Sequence, residues 1–307
     1  MAVGFESAVL ALRLDREALR LATLLEVAGV ESLLLKGPVL QRWLYPDFTR
    51  HYGDIDLLVS PDQQRRAIGL LADQGYYDPM PGAVGLETSA HARALAHADG
   101  CVVDLHTRLS GITVADNVAW DALRSESGFL NLAGGTVRVC GPVGQLLVVV
   151  LHAAQHGIDE PKPLEDLRRA AHLVDATAVR AAAEMATALG AAESFAAGLR
   201  LESLLAGLTP ELASAPQTLL VRARLASRHG VPGVALLVAL MGSPWRVQLR
   251  LATRAVWPTG DLLRAMTPPK AQQQPGWLFR ARARILARRL KALPRAVREI
   301  RNLTPDR

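Results

Sequence analysis

Two carboxylates lie two residues apart where a strand is predicted to begin. Asp54 and Asp56 stand at the start of the apolar run Gly53–Val59. Alternate side chains of a strand share a face, so both acids should point one way and Ile55 and Leu57 the other way. Neighbouring carboxylates repel, and a divalent cation that also binds phosphate oxygens relieves the repulsion. The pair therefore indicates either a metal site or two solvated acids at a strand entrance.

A third acid lies inside another predicted strand. Asp104 has apolar neighbours within the run Cys101–His106. A buried carboxylate is costly unless it is paired, coordinated to a metal or placed at an open edge. Asp104 is therefore a candidate to complete a metal cluster with Asp54 and Asp56.

A glycine turn after an earlier strand is a candidate anion site. The residues Ser32–Leu35 are followed by Lys36, Gly37 and Pro38, and proline suits the first position of a helix. Free amides at a helix start bind anions, and Lys36 would add positive charge. Arg50, in the polar connection that follows, is a further candidate. The alternative is an ordinary Gly-Pro turn with a solvated lysine.

The elements that would position these residues form an α/β unit. Apolar spacing predicts amphipathic helices over 6–28 and 63–74. Residues 87–98 are ambiguous between helix and strand. The Asp99-Gly100 pair after them favours a hairpin into the following strand, so we predict a strand here.

Beyond residue 110 the pattern becomes helical. A short strand is predicted over 136–139, and then a helix over 143–156 that is too apolar on all sides to be exposed. Further helices are predicted over 163–175, 177–189, 191–207, 216–229, 232–241 and 245–256. The chain should therefore continue as an all-α domain.

A histidine pair lies on the first of these helices. His152 and His156 are four residues apart on one helix face, a spacing compatible with zinc, but no third ligand is evident. We favour a structural pair that faces a cleft together with Glu165 and Asp166.

Composition excludes several classes of protein. The length of 307 residues predicts two domains, and half of the residues are hydrophobic, which excludes wholesale disorder. The residues after Met1 lack the basic segment of a signal peptide, and the apolar runs 146–151 and 234–241 are too short to span a membrane. Cys101 and Cys140 are too few for a disulfide framework, so we expect buried thiols in a cytoplasmic protein.

The positive charge is concentrated at the end of the chain. From Arg280 onward there are ten Lys or Arg and two acids, a net charge of +8, so the rest carries −2 of the overall +6. A Pro- and Gln-rich linker, 267–276, precedes this basic amphipathic tail, 277–307, in which a helix is predicted to break near Pro294. Such a helix binds RNA, an anionic membrane surface or an acidic partner, or it docks on its own protein with solvated arginines.

The order of these features resembles the nucleotidyltransferase superfamily typified by DNA polymerase β, and more closely its bacterial branch of largely uncharacterised nucleotidyltransferase-like proteins. The resemblance covers about residues 20–175. The segments that carry it are Leu35-Lys36-Gly37, Tyr45-Pro46-Asp47 with Arg50, Asp54-Ile55-Asp56-Leu57-Leu58-Val59, Val103-Asp104-Leu105-His106, and His152–His156 with Leu164-Glu165-Asp166-Leu167.

The resemblance implies a reaction. Residues matching Asp54 and Asp56 hold two Mg²⁺ ions on the triphosphate of an NTP, and the residue matching Asp104 binds one metal and helps to deprotonate the acceptor. Lys36 and Gly37 would contact the nucleotide phosphates. The usual glycine-serine pair is Gly37-Pro38 here, so Lys36 and Arg50 would replace the contacts of the missing hydroxyl and amide.

We therefore expect an α+β protein: a small mixed-sheet nucleotidyltransferase domain (1–110), an all-α domain (111–266), the linker and the basic tail. The expected enzyme is a magnesium-dependent, ATP- or other NTP-binding transferase acting on a small molecule, peptide or protein. The alternatives are a toxin-type enzyme that modifies RNA and a non-catalytic module that senses nucleotides.

Overall fold

The structure is a computed structural model that describes residues 2–47, 50–79, 92–219, 221–222, 234–241 and 245–302. The chain divides into two compact units. The first contains residues 1–77 and 91–216, and the second contains the remainder. Among the described helices, none combines the length and the apolar character needed to cross a bilayer.

A six-stranded mixed sheet forms the centre of the first unit, as far as the described residues extend. Its strands are β1 (Ser32–Leu34), β2 (Ile55–Val59), β3 (Ala92–Ala96), β4 (Val102–His106), β5 (Gly128–Leu132) and β6 (Gly135–Val139). Their spatial order is β3-β4-β2-β1-β6-β5. β2 is parallel to β4 and β1 is parallel to β6, whereas the β1–β2, β3–β4 and β5–β6 pairs are antiparallel. The predicted α+β class with a mixed sheet is confirmed, and two of the strands come from beyond residue 110.

Helices precede, connect and follow the strands. Those of the first unit are α1 (Ala2–Val27), α2 (Pro38–Leu44), α3 (Gln64–Asp73), α4 (Asp116–Ser125), α5 (Pro142–His156), α6 (Pro161–Ala171), α7 (Ala176–Ala188), α8 (Ala192–Leu199), α9 (Ser203–Leu208) and α10 (Pro210–Ala213). Short 3₁₀ turns lie at Pro61–Gln63 and Gly157–Asp159.

The strand β2 separates two hydrophobic cores. Ile55 and Leu57 belong to the core that also contains Leu21 of α1 and Leu71 of α3. Leu58 belongs to the other core, which is built around the apolar helix α5. This alternation confirms the predicted facing of β2, and it places the even-numbered Asp56 on the α5 side of the sheet.

The described secondary-structure elements of the second unit are all helices. Its helices are α11 (Val234–Met241), α12 (Trp245–Val256), α13 (Gly260–Met266), α14 (Pro269–Gln272) and α15 (Trp277–Asn302). Two arginines of α15 secure the end of α12: Arg289 donates to the Ala255 carbonyl, and the Arg282 guanidinium lies 4.5 Å from the centroid of the Trp257 ring. α15 is thus packed on its own unit along one side.

Several local predictions are confirmed. The Asp99-Gly100 turn joins β3 to β4, with Gly100 at φ 88° and its N–H donating to the His97 carbonyl at 3.0 Å. The strand predicted over 136–139 is β6. Both cysteines are buried and free of disulfides, and burial raises the pKa of Cys140 to about 12.

Other elements differ from expectation. The strand β5 was not predicted, although Gly134 after it is a turn residue with φ 91°. The strand is only half-buried, and the other turn residue is Ala133 at φ 49°, a conformation that alanine rarely adopts. The predicted break near Pro294 is wrong, since α15 continues through that residue; a proline removes one N–H from a helix whose other hydrogen bonds can persist. The helix predicted over 216–229 lies largely outside the described residues.

Candidate active site

Three side chains that could ligate a metal converge on the parallel pair β2 and β4. Asp56 is the register partner of Asp104, and Leu58 is the partner of His106. Asp56, Asp104 and His106 therefore share one face of the sheet, and one ligand atom from each lies within 4.8 Å of the others. Two carboxylates and an imidazole in this arrangement form a candidate cation site.

Asp54 lies next to this cluster but is not one of its three members. It immediately precedes β2 and is half-buried. Its negative charge contributes to the raised pKa of Asp104, which places the two carboxylates within electrostatic range of each other. The structure thus brings Asp56 and Asp104 together with Asp54 beside them, and the ligand role of Asp54 stays a prediction.

Asp56 already has two cationic or hydrogen-bonding partners. Its Oδ1 atom lies 2.7 Å from Lys36 Nζ and 2.9 Å from His106 Nε2, and its side chain is 3% exposed. Burial opposes the charged form, but the charge of Lys36 and the hydrogen bond from His106 hold the pKa of Asp56 well below its usual range. Asp56 is therefore a carboxylate at neutral pH.

Asp104 has the opposite electrostatic character. Burial raises the pKa of Asp104, and the neighbouring negative charge of Asp56 raises it further. A second positive charge close to both carboxylates would favour the charged form of Asp104. A bound cation would therefore stabilise the state in which both Asp56 and Asp104 are charged.

The glycine turn lies directly beside Asp56. Gly37 has φ 46°, and a Cβ at this position would lie 3.3 Å from the Tyr52 ring. The turn begins where the Leu35 N–H donates to the Asp56 carbonyl at 3.0 Å, and it ends at Pro38, the first residue of α2. The close contact and the positive φ explain the need for glycine between Lys36 and α2.

Arg50 is buried in an ion pair with α6. Its Nε and Nη2 atoms donate to the two carboxylate oxygens of Asp166 at 2.7 and 2.6 Å, and the Tyr45 hydroxyl donates to the same carboxylate at 2.8 Å. Burial lowers the pKa of Arg50, but the hydrogen bonds and charge of Asp166 outweigh it, so the net shift is upward. The guanidinium is engaged by Asp166, and contact between Arg50 and a nucleotide stays a prediction.

Three residues near the cluster were not among the predicted site residues: His106, Lys162 and His152. His106 would have been found by the alternation rule, because it is two residues after Asp104 in the same strand. Burial lowers the pKa of Lys162 on the first turn of α6, and Asp54 and Asp56 oppose that shift. The pKa of His152 on α5 is lowered by burial and then by the positive charge of Lys36. No sequence motif marks Lys162.

The histidine pair of α5 adjoins this site and makes an internal contact. The rings of His152 and His156 meet edge to face with their centroids 4.6 Å apart. Within the part of the chain that the structure describes, the pair joins no group of three metal-binding side chains. The role of the pair stays a prediction.

Acids on adjacent parallel strands, beside a strand-glycine-helix turn, are the arrangement expected of a nucleotidyltransferase. Residues 5–207 match the family model described as "Uncharacterised nucleotidyltransferase". Because the match spans more than half of the 307 residues, the chain belongs to this nucleotidyltransferase family.

Similar solved structures include an antigenic nucleotidyltransferase-like protein from Paracoccidioides brasiliensis, with 18% sequence identity and a TM-score of 0.36, and the similarity covers 60% of this chain and 94% of that chain. No curated protein matches the sequence.

Proposed function

We propose that the protein is a Mg²⁺-dependent nucleotidyltransferase that transfers a nucleoside monophosphate from an NTP to an acceptor. The observation that carries this proposal is the register pairing of Asp56 with Asp104, with Lys36 2.7 Å from Asp56. Membership of the nucleotidyltransferase family supports the reaction class. We favour a small molecule, peptide or protein as the acceptor.

The donor set suits Mg²⁺. Carboxylate oxygens are the protein ligands that this hard cation prefers, and Asp56 and Asp104 present them on one face of the sheet. His106 hydrogen-bonds to Asp56 at 2.9 Å, so it orients a ligand in the way that outer partners of metal sites do. Asp56 and Asp104 would hold the metal, with Asp54 as a further ligand from the start of β2.

The other proposed roles are contact with the phosphates and removal of the acceptor proton. When bound, two Mg²⁺ ions would supply charge stabilisation to the attacking and leaving oxygens at the α-phosphorus. Lys36 would offset the charge of the triphosphate, and the backbone of Gly37 allows close approach of a phosphate. Asp104, which would also bind one metal, would help to deprotonate the acceptor hydroxyl.

The test is transfer of label from α-phosphate-labelled NTPs, in Mg²⁺, to total RNA, to a protein extract and to a small-molecule extract. We expect label in the protein or small-molecule fraction. Asp56→Asn and Asp104→Asn should each reduce labelling by about 100-fold or more, as expected when one electrostatic contact to the reacting groups is removed. Asp62→Asn, at an exposed acid outside the cluster, is the matched control.

The outcomes separate the candidate functions. Labelling of RNA alone would support the toxin-type alternative. NTP binding in calorimetry without transfer to any fraction would support the nucleotide-sensing module. Labelling that survives both Asp56→Asn and Asp104→Asn would contradict the metal-site proposal.

A further inference from the structure

The helix α15 exposes a row of large apolar side chains to solvent. Phe279, Leu290 and Val297 are 71%, 59% and 40% exposed, and Leu293 is also exposed. Their separations of 11, 3 and 4 residues place all four on one side of the helix, which we call the apolar stripe. The stripe points away from the packed side, since Ala281 and Ala296 are buried.

A row of positive charges runs beside the apolar stripe. It consists of exposed side chains separated by three or four residues, which we call the basic stripe: Arg280, Arg284, Arg288, Lys291, Arg295 and Arg298. Viewed along the helix, the members lie between about a quarter turn and half a turn from the apolar stripe, and Arg280, Lys291 and Arg298 are the nearest to it. Among the described residues, none of these six side chains pairs with a carboxylate, so their positive charge is not neutralised locally.

The helix α12 of the same unit repeats this arrangement. Trp245, Leu249 and Val256 are exposed along one side, and the exposed Arg246 and Arg250 lie a quarter turn further round. The opposite side contains the buried Leu251. Exposed tryptophan and aliphatic side chains next to arginines therefore occur on two helices of this unit.

We infer that the second unit binds the surface of an anionic lipid bilayer, with the apolar stripe of α15 in the headgroup region and the basic stripe against lipid phosphates. A helix that lies in a membrane interface needs both an apolar side and a cationic side. The charge complementarity is strong, since α15 carries nine Lys or Arg and one acid. RNA binding would use the charges but gains nothing from exposed Leu290, Leu293 and Val297, because its apolar contacts are made by stacking rings.

The experiment is co-sedimentation of the full chain with vesicles of phosphatidylcholine, with and without phosphatidylglycerol. We expect binding only to the anionic vesicles, decreasing as salt is raised. Replacing the three members of the basic stripe nearest the apolar stripe (Arg280→Gln, Lys291→Gln and Arg298→Gln) should lower the partition coefficient by about 100-fold, at the usual contribution of each cation near such a surface.

A second variant separates lipid from nucleic acid. Changing the apolar stripe (Phe279→Gln, Leu290→Gln and Val297→Gln) should reduce vesicle binding by about tenfold or more without changing the net charge. A matched control removes three exposed arginines of the first unit, Arg16, Arg65 and Arg66, and should leave vesicle binding nearly unchanged. Circular dichroism and thermal melting establish that each variant is folded.

Three results would overturn the inference. The first is failure of the wild-type chain to sediment with anionic vesicles in low salt. The second is vesicle binding that falls equally when the control arginines are replaced. The third is vesicle binding that the apolar-stripe variant leaves unchanged while transfer RNA competes for it, which would identify a purely electrostatic polyanion site. None of these results depends on nucleotidyl transfer, which the labelling assay measures separately.

Discussion

Asp56 and Asp104 are register partners on parallel strands, yet their pKa values are displaced in opposite directions. Burial disfavours the charged form of both. At Asp56 the Lys36 charge and the His106 hydrogen bond outweigh burial, whereas at Asp104 the charge of Asp56 adds to it. The fold thus stabilises the charged form of Asp56 and destabilises the charged form of Asp104.

This difference predicts opposite effects of two similar substitutions. In metal-free protein at pH 7, Asp56→Asn should lower the free energy of unfolding by about 1–3 kcal/mol, because Lys36 loses its partner. Asp104→Asn should raise it by roughly 1 kcal/mol, because a disfavoured negative charge is removed. Urea denaturation in EDTA measures both. Two changes of the same sign would contradict this assignment of the charges.

The same pair predicts a pH dependence. Because the pKa of Asp56 is lowered by folding, its stabilising contribution is complete above the unfolded pKa of about 3.9 and is lost as the pH falls below it. The raised pKa of Asp104 acts in the opposite sense, so the comparison is best made in the Asp104→Asn background. There, adding Asp56→Asn should flatten the fall in unfolding free energy between about pH 5 and pH 2. An unchanged slope would show that another acid dominates.

The Arg50–Asp166 ion pair should be important for stability. Asp166→Asn leaves a guanidinium that is 4% exposed without its charged partner, so we expect a loss of about 3–5 kcal/mol in urea denaturation. Arg50→Met combined with Asp166→Leu should recover part of that loss, because it removes both charges. If the double variant is no more stable than Asp166→Asn alone, the cost does not come from an unpaired charge.

Removing the Tyr45 hydroxyl is a smaller change to the same group of Arg50, Asp166 and Tyr45. Tyr45→Phe should cost about 1 kcal/mol, since it removes one hydrogen bond to Asp166. Tyr77→Phe, at a side chain that is 54% exposed, is the control and should be neutral.

Gly37 and Gly53 form a matched pair of glycines near the site. Gly37→Ala adds a Cβ at φ 46° and 3.3 Å from Tyr52, so it should lower both stability, by about 1–2 kcal/mol, and affinity for NTP. Gly53→Ala meets no atom within 4 Å and should change neither by more than a few tenths of a kcal/mol. Thermal melting and NTP titration are the measurements. Equal effects at the two glycines would contradict the role given to the turn.

The sequence was most informative where a pattern is local. Alternation within β2 predicted which residues face each core, and the glycine turn and the Asp99-Gly100 hairpin follow from backbone rules that involve only neighbouring residues. The sequence by itself made Asp104 only a candidate partner of Asp54 and Asp56, since nothing local states that β4 pairs with β2.

The sequence was least informative about contacts between distant residues. The sequence marks Arg50 as a cation near the site but does not indicate its partner, because Asp166 lies 116 residues away on α6. Lys162 carries no motif, and its place near Asp54 and Asp56 depends on the packing of α6. The strand β5 was not predicted although Gly134 marks its turn, because the first turn residue is Ala133, which favours the left-handed region far less than glycine or asparagine.

Arg50 and Asp166 are 116 residues apart in the sequence, so the ribosome synthesises them at different times. Arg50 leaves the ribosome well before α6, so the nascent chain holds a guanidinium whose partner has not been synthesised. The strand β6, which pairs with β1, also emerges after both acid-bearing strands. Fragments that stop before Asp166 would therefore lack the carboxylate that allows this cation to be buried. The smallest stably folding piece should reach at least the end of α6.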